Sequence, residues 1–178
     1  WEIKTVKEKY FANIYVNHKY LQSVQLTKAQ IYTIEQDDYN FDGQRDICFY
    51  PQQESKPIIY LWSIKQGKYI KAKSDSINGH PIIVPDLKYI VTQQSDDNRN
   101  CYTWKMYQYT NNKFVLYSKL IRDYTKGIYL LEETYAPNGT TLRTKHNPTY
   151  EQLNIKWQNY CFYDHLDDLY NENGGFKQ

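Results

Sequence analysis

The stretch Asp38-Tyr39-Asn40-Phe41-Asp42-Gly43-Gln44-Arg45-Asp46 sets oxygen-bearing side chains at alternate positions around a single glycine. Carboxylates crowded this closely repel one another, so the stretch is costly unless a positive charge sits among them. Oxygen ligands on alternate residues of a tightly curled loop point inward at a hard cation, and glycine at the sixth place supplies the sharp turn. The pattern predicts a Ca2+ site. Asp38, Asn40 and Asp42 give side-chain oxygens, Gln44 its backbone carbonyl, and Asp46 a side chain, directly or through water. Calcium takes about six to eight oxygens, so water or a remote acid completes the shell. Phe49 stands at the twelfth position, where an EF-hand carries a bidentate glutamate. The flanks Ile31-Tyr32-Thr33-Ile34 and Ile47-Cys48-Phe49-Tyr50 read as strands, so a strand-loop-strand calcium turn is expected rather than an EF-hand. Without the closing glutamate the affinity is modest, suited to the calcium levels found outside the cytoplasm. The other reading is a turn rich in Asp and Asn that holds no metal, because these residues also make turns unaided. Either way the loop pins two strands and performs no chemistry.

Nothing else in the chain has the spacing of a catalytic site. His18, His80, His146 and His165 are scattered, with no pair at metal-ligand spacing. There is no G-x-S-x-G elbow, P-loop or G-x-G-x-x-G. Asp96-Asp97 and Asp167-Asp168 are the carboxylate pairs a glycosidase would need, but any chain with 20 acidic residues contains such pairs. No enzymatic activity is expected.

The elements that position the acidic loop follow from composition. Twenty Tyr, 4 Trp and 6 Phe in 178 residues favour strands, whose pleated, half-buried surface suits aromatic and branched side chains. A net charge of +2, with no basic block, argues against nucleic-acid binding. No apolar run is long enough to span a membrane. A chain that opens on Trp1 is expected to have lost its signal peptide. Cys48, Cys101 and Cys161 are too few for a zinc site; one disulfide plus a thiol and three free thiols are both open readings.

The strands repeat. Tyr60-Leu61-Trp62 through Ile70 parallels Tyr102-Thr103-Trp104 through Phe114, with Gln66-Gly67 and Thr110-Asn111-Asn112 as hairpin turns. Ile31-Tyr32, Lys88-Tyr89 and Ile128-Tyr129 open a second recurring strand, and a weaker third unit keeps Trp157. Asp96 to Asn100 falls where the acidic loop falls in the preceding unit; without a glycine it is expected to hold no metal. The expected architecture is a single all-β domain over 1–178: an N-terminal segment at 1–30, repeated β units at 31–163 and a tail at 164–178. Antiparallel hairpins in a compact propeller-like or twisted-sandwich arrangement are predicted. Thr5 to Val16 and Tyr163 to Asn173 read as short helices, the second supplying the minor terminal helix.

The D-x-N-F-D-G-x-x-D loop followed by Tyr-x-Trp hairpins resembles a family of bacterial envelope proteins that includes immunity proteins and lysozyme inhibitors. The likeness covers residues 30 to 130. It implies a periplasmic or secreted, calcium-braced β-protein of a secretion-system effector pair. Such a protein blocks a peptidoglycan-degrading, lysozyme-like toxin by pushing a loop into its active site, with no catalysis of its own. The Ser-Gly-x-x-Tyr signature of several lysozyme inhibitors is absent, and Tyr124 to Gly127 echoes another inhibitor motif. Animal lysozymes are basic; an isoelectric point near 8.3 fits a dedicated bacterial partner better.

The longest polar connections, Lys73 to Pro81 and Ala136 to Asn147, are the expected inserting loops. Ser76, Asn78 and His80 are the expected partner contacts, because their polar side chains suit catalytic carboxylates. The alternative function is a calcium-braced carbohydrate- or surface-binding module, which the wealth of Tyr and Trp would also serve.

Overall fold

Branched and aromatic residues at a period of two form strands wherever a neighbour pairs with them. The computed structural model describes residues 2–6, 9–26, 31–51, 56–74, 77–96 and 100–160. It contains β1 (Glu2–Val6), β2 (Lys9–Val16), β3 (Lys19–Gln25), β4 (Ile31–Asp37), β5 (Asp46–Pro51), β6 (Ile58–Ser63) and β7 (Lys68–Lys71). These are followed by β8 (Pro81–Val84), β9 (Tyr89–Ser95), β10 (Cys101–Thr110), β11 (Lys113–Asp123), β12 (Ile128–Tyr135) and β13 (Thr141–His146). They build three sheets, ordered β1-β2-β3, β4-β5-β6-β7 and β13-β12-β11-β10-β9-β8. The fold is all-β and antiparallel, as expected, with no closed barrel among the described residues. A short helix follows at 155–160.

One expectation is corrected. Thr5 to Val16 is not a helix: it falls in β1 and β2, paired Thr5↔Tyr10 and Val6↔Lys9. The charged Lys7-Glu8-Lys9 triplet suggests a helix, but Tyr10 to Val16 is aromatic and branched. Ala12 and Ile14, two residues apart, lie buried. Sheet pairing on both sides overrides the local charge pattern. The helix expected at Tyr163 to Asn173 lies outside the described residues, as does Cys161. Cys48 and Cys101 are free thiols.

The hairpins close as their turn residues dictate. Asn111 and Asn112 both take positive φ (50° and 59°) between β10 and β11, the conformation of a two-residue primed turn. Between β6 and β7, Gly67 at φ 59° donates its N–H to the Ser63 carbonyl at 2.8 Å. At 136–140, Gly139 N–H returns to the Ala136 carbonyl at 2.8 Å.

Contacts divide the chain into two compact units, Trp1–Gln93 with Tyr107–Val115, and Gln94–Met106 with Leu116–Gln178. In the first, Ala12, Ile14, Val24, Ile47, Phe49 and Ile58 pack into one apolar core. Gln22 on β3 stitches that core shut. Its amide donates to the Tyr69 carbonyl at 3.0 Å and accepts the Tyr69 N–H at 2.6 Å, satisfying both backbone groups of a β7 residue.

The second unit is centred on Trp157, fully buried on the terminal helix, whose indole N–H donates to Ser118 Oγ at 2.8 Å. In its part of β11 the buried residues Ser118 and Leu120 share one parity. A bulge between Ile121 and Arg122 then shifts the register, so that Asp123 is the next buried residue. Glu132 on β12 is almost fully buried. It pairs with Lys145 at 2.8 Å across β13 and accepts the Asn154 N–H at 3.0 Å. Lys145 also donates to the Gln152 carbonyl.

Two outcomes follow. Replacing Glu132 with Ala leaves the partly buried Lys145 ammonium without its carboxylate and frees the turn before the helix, and should cost about 2–4 kcal/mol in a denaturant titration. Glu133, the cross-strand neighbour of Lys119, is held below the usual carboxylate range by side-chain hydrogen bonds from Lys119 and Tyr135. A depressed folded-state pKa contributes stability above the unfolded value and loses it as pH falls through the folded one. Thermal melts below about pH 4.5 should therefore show a shallower acid loss in Lys119→Met than in the parent; identical slopes would contradict this.

Candidate functional site

Strands β4 and β5 bring the acidic loop to a closed end, with Asp37 paired to Asp46 across its base. The strand-loop-strand arrangement expected from the flanks is the one found. Inside the loop, side chains cap backbone. Asp38 accepts the Asp42 N–H at 3.0 Å and the Gly43 N–H at 2.7 Å, one on each oxygen. Asn40 accepts the Asp42 N–H at 3.2 Å and donates its amide to Asp42 Oδ2 at 2.9 Å. Asp42 Oδ1 accepts the Gln44 N–H at 2.9 Å. Gly43 sits at φ 84° with open space where a Cβ would stand, so its requirement is conformational and not steric.

Asp46 is different in kind. It is completely buried, and its two oxygens accept the Tyr39 N–H at 3.0 Å and the Trp62 N–H at 2.8 Å. Burial pushes its carboxyl up to about 7, and the negative charges of Asp42 and Asp38 push the same way, while the two N–H donors oppose. The loop thus carries the electrostatic tension its composition implies.

As a metal site the loop matches in donor chemistry but not in convergence. Every expected ligand atom is a hard oxygen, and the Asp38 cap already curls the chain around positions 42 and 43. Among the described residues, however, no three His, Cys, Asp or Glu side chains stand close enough together to hold a metal ion. The carboxylates are turned onto their own amides instead.

The other expected contacts fall on the connection before β8. Ser76 lies outside the described residues. Ile77 is fully buried and anchors the connection, Asn78 Oδ1 is buried without a hydrogen-bond partner among the described residues, and Gly79 takes φ 98°. His80 stacks flat on Tyr50, with ring centroids 4.4 Å apart and planes 4° from parallel. Its Nε2 lies 3.1 Å from Glu35 Oε1, while Tyr50 Oη donates to the other Glu35 oxygen at 3.3 Å. His80 is therefore exposed but braced, with 57% of its side-chain surface accessible.

Beneath this stack, Tyr39, Cys48 and Tyr50 form a buried polar cluster. Burial pushes the Cys48 thiol up to about 12, and hydrogen bonds with Tyr50 and Tyr39 moderate it. Such a thiol stays protonated and unreactive near neutral pH. Sequence spacing carried no signal for the bracing of His80, because Glu35 and His80 are 45 residues apart.

The loop's own geometry sets a test. Asp38→Ala removes acceptors for two N–H groups and should cost about 1–3 kcal/mol. Gly43→Ala meets no clash and should cost about 1–2 kcal/mol through its backbone alone. Chemical denaturation of both variants checks the ranking; Gly43→Ala proving the worse by a wide margin would refute the capping account.

No family model matches the chain, and no curated protein matches it. Among solved structures, it is similar to a Xanthomonas type IV secretion system related protein, with a TM-score of 0.52 and 19% identity. The match covers 64% of this chain and 58% of that one, so the chain spans less than two thirds of its neighbour's length, and the likeness is one of fold.

Proposed function

We propose that this chain is an immunity protein that binds a peptidoglycan-degrading, lysozyme-like toxin in the periplasm and blocks its active site by steric occlusion. The observation that carries this reading is the fold likeness to a protein related to a type IV secretion system. The acidic loop and the aromatic hairpin after it, which resemble envelope immunity proteins and lysozyme inhibitors, point the same way. No catalysis by this chain is part of the reading. Steric blockade needs a stiff scaffold that presents a few polar groups, because a pre-ordered surface loses little entropy on docking.

The bracing suits that task. Ser76, Asn78 and His80 are our proposed contacts. Of the two described, His80 presents surface, while the Asn78 oxygen is buried. Stacking on Tyr50 and the link to Glu35 hold the imidazole in one orientation, ready to meet a carboxylate.

We further propose that Ca2+ is the structural cofactor, held by Asp38, Asn40, Asp42, the Gln44 carbonyl and Asp46. A bound cation would offset the repulsion among the three aspartates and stiffen the β4–β5 connection. Asp42 and Asp46 would exchange amide hydrogen bonds for the ion.

Two measurements test the reading separately. For the partner, the immobilised protein is exposed, in millimolar calcium, to an envelope extract of the producing bacterium. One stoichiometric cell-wall hydrolase should be retained and silenced in a turbidity assay, with nanomolar affinity, about −12 kcal/mol. His80→Ala should weaken that affinity; retention of glycan alone, or of nothing, overturns the proposal. For the metal, calcium should raise the melting temperature of the parent and not of Asp42→Ala. Equal melting curves with calcium and with chelator would remove calcium from the account.

A further inference from the structure

Arg122 lies near the end of β11 in the second unit, and the register shift after Ile121 sets it opposite Tyr129 on β12. A bulge of this kind re-aims a side chain. Here the guanidinium lies over two aromatic rings, 4.5 Å from the Tyr124 centroid and 5.3 Å from that of Tyr129. The rings are themselves held. Tyr124 meets Tyr102 edge-on at 4.9 Å and lies 6.0 Å from Trp104, and both Trp104 and Tyr129 are buried. Tyr102, Arg122 and Tyr124 are half-buried, so this aromatic seat and its cation still reach the surface.

The guanidinium is seated but not paired. It makes no hydrogen bond or ion pair among the described residues, and its Nε is buried without a partner. The carboxylates of the same strands are committed elsewhere. Asp123 takes the Thr125 and Lys126 amides and is balanced by the Lys126 ammonium at 3.3 Å. Glu133 takes Lys119 and the Tyr135 hydroxyl, Glu132 takes Lys145, and β10 carries no acid at all.

A guanidinium holds its charge at every accessible pH and offers its N–H donors as a planar fork that matches a carboxylate with two parallel bonds. Stacking on rings fixes that plane beforehand, so little freedom is left to lose on docking. Arginine beside half-buried tyrosines is also the composition of the few residues that carry most of an interface's energy.

We propose that Arg122, with Tyr102 and Tyr124, is an anchor for a protein partner, gripped through one Asp or Glu side chain. The carboxylate takes the fork, and its apolar stem or an apolar neighbour lies on the two tyrosine rings. One unpaired cation among aromatic surfaces suits a single carboxylate. A nucleic-acid backbone would call for several free cations in a row, and Lys119 and Lys126 are already paired. This surface belongs wholly to the second unit and shares no residue with the acidic loop or with His80, so it can fail or hold apart from the toxin-blocking role.

The test is a nuclear magnetic resonance titration of the whole chain with acetyl-Leu-Glu-Leu-amide, following the backbone amides of Arg122 and Tyr124. Acetyl-Leu-Gln-Leu-amide and inorganic phosphate are the comparison ligands. The glutamyl peptide should saturate at about millimolar concentration, and the glutaminyl peptide should bind at least about tenfold more weakly. Phosphate should not displace the glutamyl peptide. Arg122→Lys keeps the charge without the fork, and Arg122→Gln keeps the stem without the charge. Each variant, read at a temperature where its amide spectrum is that of the folded chain, should lose about tenfold or more in affinity. Equal binding of the two peptides, displacement by phosphate, undiminished binding in either variant, or no saturation at millimolar peptide would each overturn the proposal.

Discussion

The Asp46 carboxylate is buried without a cation beside it among the described residues, and the acidic loop and the strand next to it are both tied to it. One oxygen holds the Tyr39 amide inside the acidic loop, and the other holds the Trp62 amide on the neighbouring strand. These two bonds join the loop to the β6–β7 hairpin and set where Trp62 stands. Burying a carboxylate costs free energy, and here Asp38 and Asp42 add repulsion, which is why the group sits near 7 rather than in the ordinary carboxylate range. Two amide donors offset part of that cost.

The same device recurs at several other turns. Asp96 accepts the N–H groups of Asn100 and Cys101, and Asp123 accepts those of Thr125 and Lys126. Glu132 accepts the Asn154 N–H ahead of the terminal helix. Several of the chain's acids therefore serve as backbone caps, which explains how a protein of nearly neutral net charge places carboxylates at strand ends without loss of order. Asp96, one member of a carboxylate pair that suggests catalysis on paper, has this structural use.

The tyrosines divide their work as amphipathic side chains do. Tyr39, Tyr60, Tyr89 and Tyr107 are buried, whereas Tyr15 and Tyr20 meet edge-on and exposed across the β2–β3 hairpin. Tyr60 shows the mixed role within one residue: its ring packs against Phe49 in the core while its hydroxyl reaches the Gln25 carbonyl on β3.

What the sequence determined by itself was local. Period-two patterning located the strands. Asn111-Asn112, Gly67 and Gly139 announced turns that only residues tolerant of positive φ can make. The spacing of Asp38, Asn40, Asp42 and Gly43 announced a curled loop, because those contacts span five residues or fewer. The β1–β2 region was misread for the converse reason, since its charges speak for a helix and its partners lie elsewhere in the chain. Tertiary structure alone decided the stack of His80 on Tyr50, the hold of Gln22 on Tyr69 and the indole bond from Trp157 to Ser118. Each joins residues tens of positions apart, and no local period encodes which strands become neighbours or which side chains they bring face to face.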